Sequence, residues 1–144
     1  MNERVLVKHN ARLTEAAHYL RKEALDGLIA FSNGLNNFLD GNAVYVLSGV
    51  RPIGESAVVV DRDGASTLIV TPAWDEARAA AVSSTDRTIG TDDLAETLQA
   101  AAKTHRLDTA RSVSVGLSLL GWAGSDEVLL DLACALSRYC GVRG

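Results

Sequence analysis

No apolar run in this sequence is long enough to span a bilayer, and the first residues, MNERVLVKHNARLTEAAHYLRKE, scatter charge where a signal peptide would keep an uninterrupted apolar stretch. Membrane insertion and export are therefore not expected, and the chain is placed in the cytoplasm. Lys and Arg form no stripe: 14 of them face 18 Asp and Glu, the net charge is −4 and the pI is near 5.3. Nothing in that balance attracts a phosphate backbone, so nucleic acid is not an expected partner. Cysteine is scarce. Cys134 and Cys140 stand six residues apart in what reads as one helix, which would separate their Cα atoms by roughly 9 Å and prevent pairing without unwinding. No C-x-x-C or Cys/His spacing is present, so both read as plain thiols rather than metal or redox ligands.

What is present is ordinary globular material. The 144 residues are 47% hydrophobic and 22% charged, with no compositional block that looks disordered. A chain of this size buries roughly two-thirds of its unfolded surface, enough for one core, and residues 1–144 read as a single domain.

Leu6, His9, Leu13, Ala16, Ala17, Leu20 and Ala24 recur at helical steps, with Arg12, Glu15, Lys22 and Glu23 off that stripe. The spacing predicts a long amphipathic helix with Asn2 as N-cap and Gly27 at its end. LIAF follows as a strand covered on both faces. The Asn- and Gly-rich segment 32–42 reads as a loop, and AVYVLS after it as a second strand. SAVVVD and STLIVT, joined by Arg62, Asp63 and Gly64, form an antiparallel hairpin whose Asp-Gly pair supplies left-handed positions. Thr71-Pro72 resembles an N-cap followed by proline, opening a second helix that ends near Val82 with Asp75 and Glu76 in its first turn. A short strand from Arg87 to Ile89 leads through Thr91 to a third helix carrying Leu94, Leu98, Ala101 and His105 in register. SVSVGL is a further strand, and a fourth helix runs from Ser125 to Gly141. Strands interleave with helices, but the hairpin breaks the alternation. The expected fold class is α/β: three layers, a mixed sheet with helices on both faces.

Chemistry is hard to find in this chain. A nucleophile dyad or triad needs a base, and His9, His18 and His105 are the only histidines. His9 and His105 fall on apolar stripes, where a hydrogen-bonded core or interface histidine is usual, and His18 lies on the solvent side. Gly116, Gly121 and Gly124 lie between a strand and a helix, but GLSLLGWAGSDEV has no Lys-Ser/Thr and no G-x-G-x-x-G. Its Asp126 and Glu127 would repel a phosphate at that helix start. Asp61 and Asp63 belong to a turn, and Asp26, Asp40, Asp86, Asp92 and Asp93 stand at element ends, where capping and solubility account for them. No catalytic residue and no metal ligand is assigned.

A resemblance enters on softer patterns. Arg12-Leu13, then Leu25-Asp26-Gly27-Leu28-Ile29-Ala30, Tyr45-x-x-Ser48-Gly49, Ala57-Val58-Val59-Val60-Asp61, the turn Gly64 and the strand Thr67-Leu68-Ile69-Val70 together resemble the N-terminal domain of the creatinase and prolidase family. That family comprises Xaa-Pro aminopeptidases, Xaa-Pro dipeptidases and creatinases. Two features depart from it: the segment before Tyr45 is longer and richer in Asn, and Arg51-Pro52 replaces a small or aromatic continuation. The resemblance implies a ribonuclease H-like fold set ahead of a "pita-bread" catalytic domain, which is absent from this chain. In the family that second domain holds two divalent metal ions (Mn, Co or Zn) through two Asp, one His and two Glu, and hydrolyses a C–N bond with a bridging hydroxide.

By the same resemblance the N-terminal domain is non-catalytic, builds a homodimer and gates a peptide or small-amide substrate at the partner subunit. The gating positions here are Tyr45, just before the loop from Ser48 to Glu55, and Ser48 and Arg51 on that loop. Arg51 is expected to hold a substrate carboxylate or brace the gate, since a guanidinium is a planar fork suited to carboxylates. A solvated surface arginine is the plainer reading. Three broader alternatives stay open: a stand-alone binding or dimerisation module, a creatinase-like amidinohydrolase rather than a peptidase, and a small nucleotide-binding or nuclease domain, which the missing phosphate loop disfavours.

Overall fold

The computed structural model describes residues 3–34 and 42–107, with side chains from residue 10 onward, and these belong to a compact unit spanning Met1–Ala110. The expectations for Asn2, the side chains of Leu6 and His9, Asp40, SVSVGL, the three glycines after it, Asp126, Glu127, both cysteines and the helix from Ser125 lie outside the described residues. The first helix, α1, runs Glu3–Lys22 and is followed by strand β1, Gly27–Ser32. Leu13, Ala17 and Leu20 form the buried stripe of α1, while Arg12, Glu15 and Lys22 stay exposed. Arg21 and Lys22 in its last turn complement the helix dipole. The helix closes before Gly27. Ala24 takes the left-handed position at φ 54°, and Leu25 N–H returns to Leu20 O at 2.9 Å, the wrap that usually recruits glycine. Gly27 instead opens β1.

AVYVLS is not a strand. It forms a six-residue helix, α2, Ala43–Ser48. The Asn42 side chain accepts from Val44 N–H at its start, and Gly49 at φ 76° closes it with an N–H to Tyr45 O. Val44, Leu47 and Ser48 face inward at three- and four-residue steps, a period that β-branched residues in so short a run disguise.

Strands β2, Ser56–Asp61, and β3, Ser66–Val70, form the expected hairpin, with Val60 opposite Ser66 and Ser56 opposite Val70. In its turn only Gly64 is left-handed. Asp63 is not, because Asp61 Oδ1 accepts from Asp63 and Ala65 N–H at 3.0 and 2.9 Å and fixes the loop itself. After β3 a 3-10 turn, Ala73–Asp75, leads into helix α3, Glu76–Val82. Pro72 rather than Thr71 holds the cap position there, because the Thr71 hydroxyl donates to Glu55 O at 2.8 Å. Strand β4, Arg87–Gly90, and helix α4, Leu94–Thr104, complete the described unit. Asp93 caps α4 by accepting from Glu96 N–H.

The sheet order is β1-β2-β3-β4, antiparallel at the first two pairings and parallel at the last. Strand alternation divides the core into two layers. Ala30, Val58, Val60, Leu68 and Val70 pack with Leu13 and Leu20 of α1, Val44 and Leu47 of α2 and Ala79 of α3. On the other face Val59 and Ile69 meet Ala101, Leu94 and Leu98 of α4. The fold is thus a mixed α/β sheet with helices on both faces. Each fully buried Val, Leu or Ile of β2 and β3 contributes about 1.5–3 kcal/mol. LIAF departs from expectation: α4 lies over β2 and β3, leaving Ile29 and Phe31 of β1 exposed on that face. Among the described residues no helix is long and apolar enough to cross a membrane.

Candidate functional site

The segment from Tyr45 to Glu55 comprises the end of α2 and its connection to β2, and its conformation is dictated from within. Ser48 is fully buried. Its hydroxyl donates to Val44 O at 2.6 Å and accepts from Val50 N–H at 3.1 Å, so it closes the helix end and seats Val50 in the core. The next residues emerge at the surface. The Arg51 guanidinium lies over the Tyr45 ring, 4.5 Å from its centroid, a cation–π contact of about 0.5–1 kcal/mol at an exposed position. Of the three residues expected to gate a substrate, the fold brings Tyr45 and Arg51 together and turns Ser48 inward.

The loop is pinned at several points. Ser84 N–H bonds Ser48 O at 2.9 Å, Gly54 N–H bonds Thr71 O at 3.1 Å, and Thr71 N–H bonds Glu55 O at 3.0 Å. Beside Thr71 rises Trp74, 71% exposed, and Ile53 of the loop is half exposed. The strongest pin was not legible as such. Asp75 is completely buried, and its two carboxylate oxygens accept from Arg78 Nε and Nη2 at 2.5 and 2.7 Å. Arg78 Nη2 also donates to Arg51 O at 3.0 Å. The hydrogen bonding that Arg78 donates to Asp75 raises the Arg78 pKa above its ordinary value, against the opposing effect of burial and with added help from the Asp75 charge. A single fork thus ties a buried carboxylate to the backbone that presents Arg51. The available signal was the Asp75-x-x-Arg78 spacing, one helical turn apart.

A second constellation joins β2, β3 and α4. His105 Nδ1 lies 2.8 Å from Asp61 Oδ2, and its Nε2 lies 2.8 Å from Thr67 Oγ1. A carboxylate only accepts, so Nδ1 carries hydrogen toward Asp61, and a ring holding that one hydrogen uses Nε2 to accept from the Thr67 hydroxyl. The connectivity is that of an acid–base–nucleophile chain. Burial decides against chemistry: Thr67 is 5% exposed, inside the sheet face covered by α4. The chain acts as a clasp between the hairpin and the end of α4, in keeping with the expectation of a hydrogen-bonded histidine. His18 is exposed.

An open groove of about 430 Å³ runs between α1 and the start of β3, with Arg21, Asp63, Ser66 and Asp86 among its walls. Asp86 Oδ2 already accepts from Ser66 N–H and Oγ–H at 2.8 and 3.0 Å, and the Arg21 guanidinium donates to Arg62 O at 2.7 Å. Those polar groups serve the fold. Asp92 accepts from Ala73 N–H, a capping role of the kind expected of element ends, whereas Asp26 pairs with Arg62. Among the described residues no three His, Cys, Asp or Glu converge as metal ligands would, and no step through a metal is derived for this chain. No protein-family model, curated protein or solved structure matches the chain.

Proposed function

We propose that this chain is the non-catalytic N-terminal domain of a dinuclear metal-dependent hydrolase of the creatinase and prolidase type, with a ribonuclease H-like fold. Its role in that reading is dimerisation and substrate gating, and the parent reaction is cleavage of a C–N bond in an Xaa-Pro peptide or a related small amide. The metal ions and the chemistry belong to a catalytic domain outside this chain. Support comes from the order of elements and from a mixed sheet in which β2 runs against β1, β3 and β4.

The observation that carries the reading is the braced presentation of Arg51. Its guanidinium lies over the Tyr45 ring and its carbonyl accepts from Arg78 of the Asp75–Arg78 fork. A fork held this way loses little side-chain freedom on meeting a carboxylate, which is how a gate selects without itself reacting. The direct test is the reading frame beyond codon 144, expected to encode an ordered Asp, Asp, His, Glu, Glu series. In the enzyme so encoded, Arg51→Ala is expected to raise KM with little change in kcat. An unchanged KM would sink the gating role.

A second reading is favoured by exposed Trp74 and Ile53 beside the same loop: a binding or dimerisation module with no catalytic domain behind it. A stop codon in place of that series, with retained self-association, would select it.

A further inference from the structure

Trp74 stands 71% exposed and Ile53 half exposed, at the end of the sheet where β3 finishes. Single exposed apolar residues are ordinary. A tryptophan is less so, because its ring is a large apolar surface that folding usually buries, and here it is displayed on backbone that is held from several sides. Ala73 N–H is bonded to Asp92 Oδ1 at 2.9 Å, and Asp75 N–H to Pro72 O at 2.9 Å. The Asp75 carboxylate is locked to Arg78. The end of β4 presses on the same turn: a Cβ on Gly90 would collide with Ala73 O. The segment bearing Ile53 is joined to this one through the bond from Gly54 N–H to Thr71 O. A ring presented on so fixed a backbone has little freedom left to lose when a partner settles on it.

The uncommitted charge beside Trp74 is negative. Glu76 and Asp92 are both exposed, and each uses one oxygen for the fold: Glu76 Oε2 accepts from Gly90 N–H at 2.8 Å, as Asp92 Oδ1 does from Ala73 N–H. Those bonds fix the two carboxylates next to the tryptophan turn, and their other oxygens, Oε1 and Oδ2, have no partner among the described residues. Glu55, also exposed, follows Ile53 by two positions. The nearby cations are engaged, Arg78 by Asp75 and Arg51 by the Tyr45 ring. An open aromatic face attracts a cation, and anchored carboxylates attract the same cation.

We propose that Trp74, Ile53, Glu76 and Asp92 form a docking surface for a basic, partly apolar peptide segment of a partner protein. An arginine or lysine of that segment lies over the indole and meets the two carboxylates, while an apolar side chain beside it covers Ile53. An acidic segment is repelled by the same groups, and a purely apolar one would strip water from two carboxylates without replacing it. The surface is drawn from separate stretches of chain, 53–55, 74–76 and 92, which suits an extended segment better than a small free cation. Peptide docking here needs no catalytic domain beyond codon 144, so it is tested apart from the gating role of Arg51.

The test is an NMR titration of the folded chain with three acetylated and amidated octapeptides, in which leucine alternates with arginine, glutamine or glutamate. The arginine peptide is expected to shift the Trp74 indole N–H and Ile53 methyl resonances saturably, and to bind about tenfold more tightly than the other two. Its affinity falls as sodium chloride is raised. Trp74→Ala weakens it about tenfold, and the paired Glu76→Gln/Asp92→Asn variant several-fold. Gln and Asn keep the oxygens that hold Gly90 and Ala73, so the second loss is not one of folding. Glu15→Gln, at an exposed position of α1, leaves binding unchanged. Equal binding of the glutamate peptide, an unmoved Trp74 indole, or full affinity in the paired variant overturns the docking surface. Complete competition by tetramethylammonium alone would make the ligand a small cation, and a Trp74 resonance that shifts with protein concentration alone would make the occupant a second copy; either result overturns the peptide segment.

Discussion

Replacing Arg78 with Met would leave the Asp75 carboxylate, which has no solvent exposure, without the guanidinium that now meets both its oxygens. Methionine keeps most of the aliphatic stem, so the loss is chiefly of charge and hydrogen bonds. Breaking a buried pair from one side costs about 3–5 kcal/mol. The Arg78 side chain is 46% exposed, and water reaching the site from that side favours the lower end. The bond to Arg51 O adds about 1 kcal/mol. A loss near 3 kcal/mol corresponds to a fall in Tm of roughly 10 °C for a chain of this size.

Asp75→Leu combined with Arg78→Met should recover most of that loss, because it removes the stranded charge. The four-way cycle, read by urea unfolding under circular dichroism, should therefore show strong coupling. The guanidinium pKa is raised in the fold, so its contribution is complete below the ordinary guanidinium range and is lost only as pH rises through it. The deficit of Arg78→Met should be equal at neutral and moderately alkaline pH. A cost of Arg78→Met below about 1 kcal/mol, or a double variant no better than the single, would refute the account of the fork as a buried-charge anchor.

Ala24→Gly should stabilise by about 1 kcal/mol, since alanine there bears the left-handed strain that glycine does not; differential scanning calorimetry would detect the gain, and a loss would refute it. Ser56 Oγ is fully buried with no hydrogen-bond partner among the described residues, so Ser56→Ala should be neutral or stabilising by up to about 1 kcal/mol; a clear destabilisation in urea would reveal a partner for that hydroxyl. Thr67→Val strands His105 Nε2 and should cost about 1–3 kcal/mol, partly restored in the Thr67→Val/His105→Leu pair. Equal additive losses would show that the clasp is no unit.

Legibility followed the range over which a residue's fate is decided. The β2–β3 hairpin could be read because its runs are buried on both faces and bounded by turn chemistry. The apolar residues of α4 kept a helical period that no neighbour overrode. AVYVLS was misread because a six-residue apolar run with two valines fits either period, and Asn42 and Gly49, its true boundary marks, also suit a loop. The same misreading hid the fate of Ser48. Once the segment is helical, Ser48 shares a face with Val44 and Leu47 and must turn inward. Tyr45 and Arg51 could be named from the sequence, but not their stacking, which depends on the left-handed turn at Gly49. Asp75 looked like any acid opening a helix. Its burial is set by the packing of the whole loop, a tertiary fact with no local trace.

The β2–β3 pair has a consequence for how the unit opens. Every residue of β3, and all of β2 but Asp61, is buried, and the pair is roofed on one side by α1 and α2 and on the other by α4. Amide protons there can reach solvent only when both roofs are lifted. Those of β1, with one exposed face, escape by local fraying. Hydrogen exchange across the sheet is therefore graded from the rim inward, and the slowest amides, at Val59 and Ile69, report the free energy of complete unfolding.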